Sequence, residues 1–314
     1  MDLYCIGEML IDFIPGGEPA SYIRKAGGAP ANVAIAAAKN GLRSGLCCSV
    51  GADDFGRFLM GTLAEHGATA LQPKLCEDAV TTLAFVTLAE NGERSFTFAR
   101  KPGADMYLCE ADVKEKDISE AVIVHAGSCS LSASPAAQAT GKALRLGHEL
   151  GKIVSFDVNY RDVMWNGQQE SCTRAVQAIL PYVDILKISE EEVEMVGGEA
   201  GLPALMRENR IALTVETLGE RGAKCFFGDQ VLTVAGRKAR CVDATGAGDA
   251  FWGGFLSSLR MQGVEQTNQL TAEKIETAMI YGNVAGWICV QSKGAIESLP
   301  TRAQIEAVLK GDEK

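Results

Sequence analysis

Short apolar runs bounded by turn-forming residues recur along the chain, at Tyr4 to Gly7, Leu46 to Gly51, Val122 to Ala126, Ile153 to Asp157, Ile185 to Ile188, Ile211 to Glu216 and Lys224 to Phe227. Between most of them lie stretches with helical spacing, such as Phe55 to His66, Ala136 to Leu150 and Thr173 to Leu180. This alternation predicts βαβ units around a buried, mostly parallel sheet, an α/β fold. Two stretches break the rhythm. Leu10 to Lys25 contains Pro15, Gly16 and Gly17, and Thr81 to Arg100 reads as two extended runs, Thr82 to Leu88 and Arg94 to Arg100, around the turn-like Glu90-Asn91-Gly92. They predict a small β-sheet from about 10–25 and 81–105, placed as a lid over one edge of a site; an ordinary surface hairpin is the alternative. With no internal repeat, low-complexity tract or linker, one domain over 1–314 is expected.

Composition narrows the partners. The chain has 314 residues, 47% of them hydrophobic, enough for a large core without disulfide or metal support. A formal charge of -10 and a pI near 5.0 disfavour nucleic acid and anionic membranes. A phosphorylated small ligand stays possible, because a few amides and one or two cations bind it locally. The ten cysteines are scattered, without a CxxC pair or a Cys/His cluster, and the start MDLYCIGEML lacks a signal-like pattern. They read as structural thiols in a reducing, cytoplasmic setting. The longest uncharged stretch, Ala278 to Ser292, falls short of the ~20 residues a membrane span needs and reads as a core helix followed by a strand.

The stretch richest in chemistry is Asp243-Ala244-Thr245-Gly246-Ala247-Gly248-Asp249, which runs straight into the apolar AFWGGFLSSL. It reads as a glycine turn opening a buried helix, whose first amides lack intrahelical acceptors and can bind an anion. Asp249 at that helix start is either a cap or a carboxylate able to take a proton from an attacking hydroxyl. Phosphoryl transfer needs both a base and donors for the developing charge, and this one loop carries both. Earlier in the chain, Gly27 and Gly28 make a bend free of side chains, Pro30 suits a first helical turn, and Asn32 can offer a donor and an acceptor to a pair of hydroxyls.

DATGAGDAFWGGF and Gly27-Gly28-Ala29-Pro30-Ala31-Asn32-Val33-Ala34 resemble the second and first signatures of the PfkB, or ribokinase-like, carbohydrate kinases, in the expected order. The resemblance implies a three-layer αβα sandwich with a β-lid, and phosphorylation of a sugar hydroxyl by ATP with Mg2+. It implies Asp249 as the base, with Gly246, Ala247, Gly248 and Arg161 stabilising the transferred group. It places the sugar against Asp12, Gly27, Gly28, Asn32, Phe98, Asn159 and Arg161. FDVNYR, carrying Asp157, Asn159 and Arg161, resembles a DPN-x-R segment with Val158 in place of the proline. For the nucleotide it implies Ser189, Thr217, Gly219, Gly222 and Asn283, the last on the helix before the last strand, besides the glycine loop. Glu192 stands where the family organises Mg2+ through water, with a solvated first helical turn as the plain alternative. Asp243, Thr245, Cys289, Ser292, Gly294 and Ser298 match a loop that holds K+ in many members. Among the branches, the chain most resembles bacterial fructokinases, which implies D-fructose as substrate. Ribokinase or 2-keto-3-deoxygluconate kinase activity is the alternative, the latter asking for a cation such as Arg94, Arg100 or Lys101. A catalytically silent sugar- or nucleotide-binding regulator would share the scaffold. A homodimer through the lid is expected.

Overall fold

The computed structural model describes residues 1–18, 20–88 and 94–312. The chain opens with β1 (Leu3–Ile6), leaves for a separate sheet as β2 (Leu10–Pro15) and β3 (Tyr22–Gly27), and returns through α1 (Ala29–Lys39) to β4 (Ser44–Gly51). Helix α2 (Asp54–Glu65) and β5 (Thr69–Cys76) follow, and β6 (Leu83–Leu88) with β7 (Arg94–Ala99) complete the separate sheet. Next come α3 (Glu115–Ser119), β8 (Ile123–Gly127), α4 (Ala136–Glu149), β9 (Ile153–Asp157), α5 (Gln169–Ile179) and β10 (Ile185–Ser189). The chain closes with α6 (Leu202–Asn209), β11 (Leu213–Thr217), β12 (Gly222–Phe227), β13 (Gln230–Ala235), α7 (Ala247–Met261), α8 (Ala272–Cys289) and α9 (Arg302–Asp312).

The large sheet has nine strands in the order β13-β12-β11-β10-β9-β8-β1-β4-β5. From β11 to β5 every pairing is parallel, and β12 and β13 add an antiparallel edge. Each apolar run read from the sequence is one of its strands. Side chains alternate between two cores: Leu3 and Cys5 of β1 pack with Ala34 of α1 and Phe255 of α7, whereas Tyr4 and Ile6 pack with Ala143 of α4 and Val176 of α5. The result is a three-layer sandwich with helices on both sides of the sheet.

The two irregular stretches do meet in a small sheet of order β3-β2-β6-β7. Its expected Glu90-Asn91-Gly92 turn lies outside the described residues. Pairing of Asp12 with Ala84, and of Ala84 with Phe98, puts these three side chains on one face. On the other, Phe13 and Phe85 stack with centroids 5.0 Å apart, and Phe13 meets Phe55 of α2 edge-on at 5.7 Å. Aromatic packing therefore fixes the sheet to the body while Asp12 looks the opposite way.

One expectation is corrected. Residues 278–292 are not a helix followed by a strand: α8 continues to Cys289 and leads into a loop, and Asn283 precedes no strand among the described residues. The small residues in this stretch let helices approach. A methyl on Gly282 would stand 2.8 Å from the Phe251 carbonyl, and one on Gly254 would stand 3.0 Å from Ala285 Cβ. On the far side of α7, a Cβ on Gly253 would overlap Ala36 of α1. Close packing against α1 and α8 keeps α7 tightly against both neighbours.

Candidate active site

The chain reverses direction across the sheet at β1, which pairs with β4 on one side and β8 on the other. Ligands of open α/β sheets bind outside the carboxyl ends of the strands near such a reversal. Asp157, Ser189 and Thr217 all sit at strand ends on that edge, on β9, β10 and β11.

Asp249 lies in the first turn of α7, 8% exposed. Its Oδ2 accepts a hydrogen bond from Asn32 Nδ2 at 2.8 Å, across 217 residues of sequence. Asn32 is itself buried, and its Oδ1 has no partner in the protein, which leaves an acceptor for a ligand hydroxyl. Burial pushes the Asp249 carboxyl up to about 6; the Asn32 hydrogen bond opposes this, Asp157 adds to it, and Arg161 and Lys187 oppose it. A carboxylate held near that value is ionised at neutral pH and still basic enough to take a proton.

The other residues expected on the sugar side lie in several places around the site: Asp12 and Phe98 line two different pockets. A Cβ on Gly27 would overlap Asp12 Oδ2 where it now stands, so the bare glycine backbone leaves room for that carboxylate in this position. Gly28 caps α1 with φ of 113°, and a Cβ there would stand 2.5 Å from the Glu8 carbonyl. Burial, and then the Asp243 charge, raise Asp12 to about 7. A pocket of about 80 Å³ is bounded by Asp12, Lys25, Asp243, Thr245, Lys293 and Gly294. Phe98 lines a larger one of about 480 Å³ with Arg100, Lys101, Met106, Ser132 and Met164. Asn159 takes the left-handed φ of 38°, its amide donating to Asp157 Oδ1 at 3.1 Å. Arg161 beyond it is exposed, and its Nη1 donates to the Tyr160 carbonyl at 3.0 Å.

At the other end, Gly246 has φ of 78° and turns the chain into α7, with room for a Cβ only 2.8 Å from that of Ala295. The Ala247 amide departs from expectation: it donates to the Ala244 carbonyl at 3.2 Å, closing the turn instead of facing a ligand. Ser189 and Glu192 form a capping box of the short 3-10 helix Glu190–Val196. The Glu192 oxygens accept from the amides of Tyr160 at 2.6 Å and Ser189 at 2.8 Å. Thr217 ends β11, Gly219 and Gly222 turn with φ of 58° and 104°, and Asn283 Nδ2 donates to the carbonyls of Val234 and Ala235 at 3.4 and 3.3 Å. Asp243 accepts from Thr245 N at 2.9 Å and Gly294 N at 3.0 Å, and Cys289 Sγ lies 3.0 Å from Ser298 Oγ. Ser292 is exposed at the start of that loop.

Sequence reasoning missed Lys187. Its side chain, 6% exposed, donates from Nζ to Asp157 Oδ2 at 2.8 Å. Burial works against its charge, yet the Asp157 and Glu192 carboxylates hold it above the ordinary lysine range. A Cβ on Gly248 would stand 3.6 Å from Nζ, so the ammonium lies directly under the glycine loop. A lysine inside the apolar run ILKIS was the available signal.

A family model described as pfkB family carbohydrate kinase matches residues 1–302. The chain belongs to the PfkB carbohydrate kinases. Among PfkB relatives, Fructokinase-1 of Oryza sativa subsp. japonica is 37% identical over 310 residues, 95% of this chain and 94% of that protein. The fructokinase of Xylella fastidiosa, solved with bound ATP, superposes with a TM-score of 0.93 at 29% identity, covering 100% of this chain and 99% of that one. The fructokinase of Vibrio cholerae O395, solved with fructose, ADP and calcium ion, gives 0.87 at 34% identity over 98% of both chains. As a PfkB protein, this chain is a carbohydrate kinase. No helix among its described residues is long and apolar enough to cross a membrane.

Proposed function

We propose that this kinase transfers the γ-phosphoryl group of ATP to the primary 6-hydroxyl of D-fructose, with Asp249 as general base. The observation that carries the reading is the 2.8 Å hydrogen bond from Asn32 to Asp249, which joins the first glycine motif to the second. The sugar lies against Asp12, Gly27, Gly28 and Asn32, with Phe98, Asn159 and Arg161 around it. Asp249 Oδ takes the hydroxyl proton as that oxygen bonds to phosphorus and the bond to the ADP oxygen breaks. The amides of Gly246 and Gly248, with Arg161 and Lys187, oppose the charge on the moving group. Ser189, Thr217, Gly219, Gly222 and Asn283 line the nucleotide, and the small sheet acts as a lid that excludes water. Bound Mg2+ would neutralise phosphate charge, and Glu192, anchored by two amides, would order its waters. Carbonyl and hydroxyl oxygens of Asp243, Thr245, Cys289, Ser292, Gly294 and Ser298 suit K+.

Fructose is favoured over an acid sugar because the buried cation at the base of the lid is already spent. Arg100 pairs with Asp105 at 2.7 Å, with the two side chains 8% and 2% exposed, and its Nη1 reaches Ser132 Oγ at 3.2 Å. A substrate carboxylate would have to compete with Asp105 for Arg100, or turn to the exposed Lys101 at the same pocket. The relatives named above are fructokinases, which supports the same choice. Tyr22 and Ile23 of the small sheet are 49% and 47% exposed, and we propose that they pack in a homodimer.

The deciding assay follows ADP release over fructose, ribose and 2-keto-3-deoxygluconate, with and without K+. Highest kcat/KM on fructose supports the reading. Preference for ribose or the acid sugar overturns the specificity, and no turnover with any of the three overturns the assignment of fructose as substrate.

A further inference from the structure

Beneath the reacting groups lies a buried polar chain that the proposed chemistry does not use. Trp252, fully buried and one turn beyond Asp249 on α7, donates from Nε1 to Ser155 Oγ at 2.9 Å. Ser155 Oγ lies 3.0 Å from Nδ1 of His125 on β8. All three side chains are within 1% of complete burial. An indole nitrogen only donates, so the serine oxygen accepts from Trp252, and the tautomer of His125 sets which partner donates in the serine–imidazole bond. Burial, and then Lys187, push the His125 pKa down to about 3, leaving the ring neutral.

The placement couples this chain to the two carboxylates above it. Ser155 and Asp157 are two residues apart on β9 and so share one face of the sheet, while Trp252 and Asp249 are three apart on α7. The apolar packing of α7 on α1 and α8 resists separation but has little directionality; a hydrogen bond has both length and angle. Asp157 raises the Asp249 carboxyl while the Lys187 ammonium bonded to Asp157 lowers it, so the spacing of Asp249 from that pair bears on how readily it takes a proton.

We propose that Trp252 and Ser155, with Ser155 oriented by His125, are positioning residues that set where the Asp249 carboxylate stands relative to Asp157 and the substrate hydroxyl. The inference rests on Asp249 being the base. None of the three touches substrate; they act through α7.

Trp252→Phe and Ser155→Ala each remove one link. Both are expected to lower kcat by roughly tenfold, an ångström-scale misplacement being able to cost more, while KM for fructose and ATP stays within about twofold. Loosening also lets water reach Asp249, so the acid limb of the kcat/KM profile moves to lower pH. The groups facing Asp249 from the packed elements, Asn32, Asp157, Arg161 and Lys187, are unchanged in both variants. Ser155→Thr, which keeps the hydroxyl, is expected to restore kcat. Folded Trp252→Phe and Ser155→Ala proteins, judged by thermal unfolding, that keep wild-type kcat and acid limb would overturn the proposal; should Ser155→Ala fail to fold, Trp252→Phe, which keeps a ring in the slot, decides. Asp249→Asn serves as control. Near-normal turnover there sinks the base reading, whereas an inactive Asp249→Asn beside unaffected network variants sinks only the positioning role.

Discussion

Asp249→Asn tests whether the carboxylate is held at a cost to stability. The folded protein raises this group from 3.8 to about 6, chiefly through burial. Between those values the native state keeps a proton that the unfolded chain has lost, so stability falls as pH rises through the window. The penalty is absent below about 3.8, grows to about 6 and is constant above. Two pKa units correspond to about 3 kcal/mol, at ~1.4 kcal/mol per unit. Asparagine fills the same space, can still accept from Asn32 Nδ2 through its amide oxygen, and carries no charge. At pH 8 the variant should therefore be more stable than wild type by about 2–3 kcal/mol, with kcat lower by roughly 10²–10⁴-fold, the trade expected of a strained catalytic group. Urea unfolding of both proteins at pH 8 and pH 5 measures the difference, and it should shrink at pH 5. Glu8 and Asp12, also raised to about 7, are common to both proteins and cancel. A variant less stable than wild type at pH 8, or a gap that ignores pH, would refute the electrostatic account; turnover within a few-fold of wild type would refute the base.

Three further perturbations follow from the geometry. Lys187→Met removes the cation that Asp157 and Asp249 share, so the acid limb of kcat/KM should move above about 6 while kcat falls at least tenfold; an unmoved limb would separate Lys187 from Asp249. Gly28→Ala forces a side chain onto a φ of 113° and against the Glu8 carbonyl, and calorimetry should show fructose binding weakened by an order of magnitude or more, with little change for ATP. Arg100→Ala leaves Asp105 buried without its cation and should cost about 3–5 kcal/mol in chemical unfolding; a loss below about 1 kcal/mol would show that water reaches the pair.

Much of the fold was legible because its signals are local. A buried parallel strand is apolar along its length, and each of the seven runs named from the sequence became a strand. Edge strands have no such signature. β5 carries Gln72, Pro73 and Lys74, and β13 alternates with solvent, so neither stood out, and the antiparallel β12–β13 edge came only with the structure. In α8, glycines that look like breakers are contact points, because Gly282 lies against the Phe251 carbonyl.

The chain by itself determined the α/β class, the small sheet and the two glycine motifs, since each depends on residue types within a dozen positions. Only the tertiary structure decided that Asn32 meets Asp249, that Asp12 fits where Gly27 has no Cβ, that Lys187 lies under the glycine loop and that the Ala247 amide is turned inward. Those facts depend on how helices and strands far apart in sequence pack, and a pattern of neighbouring residues carries no record of that distance.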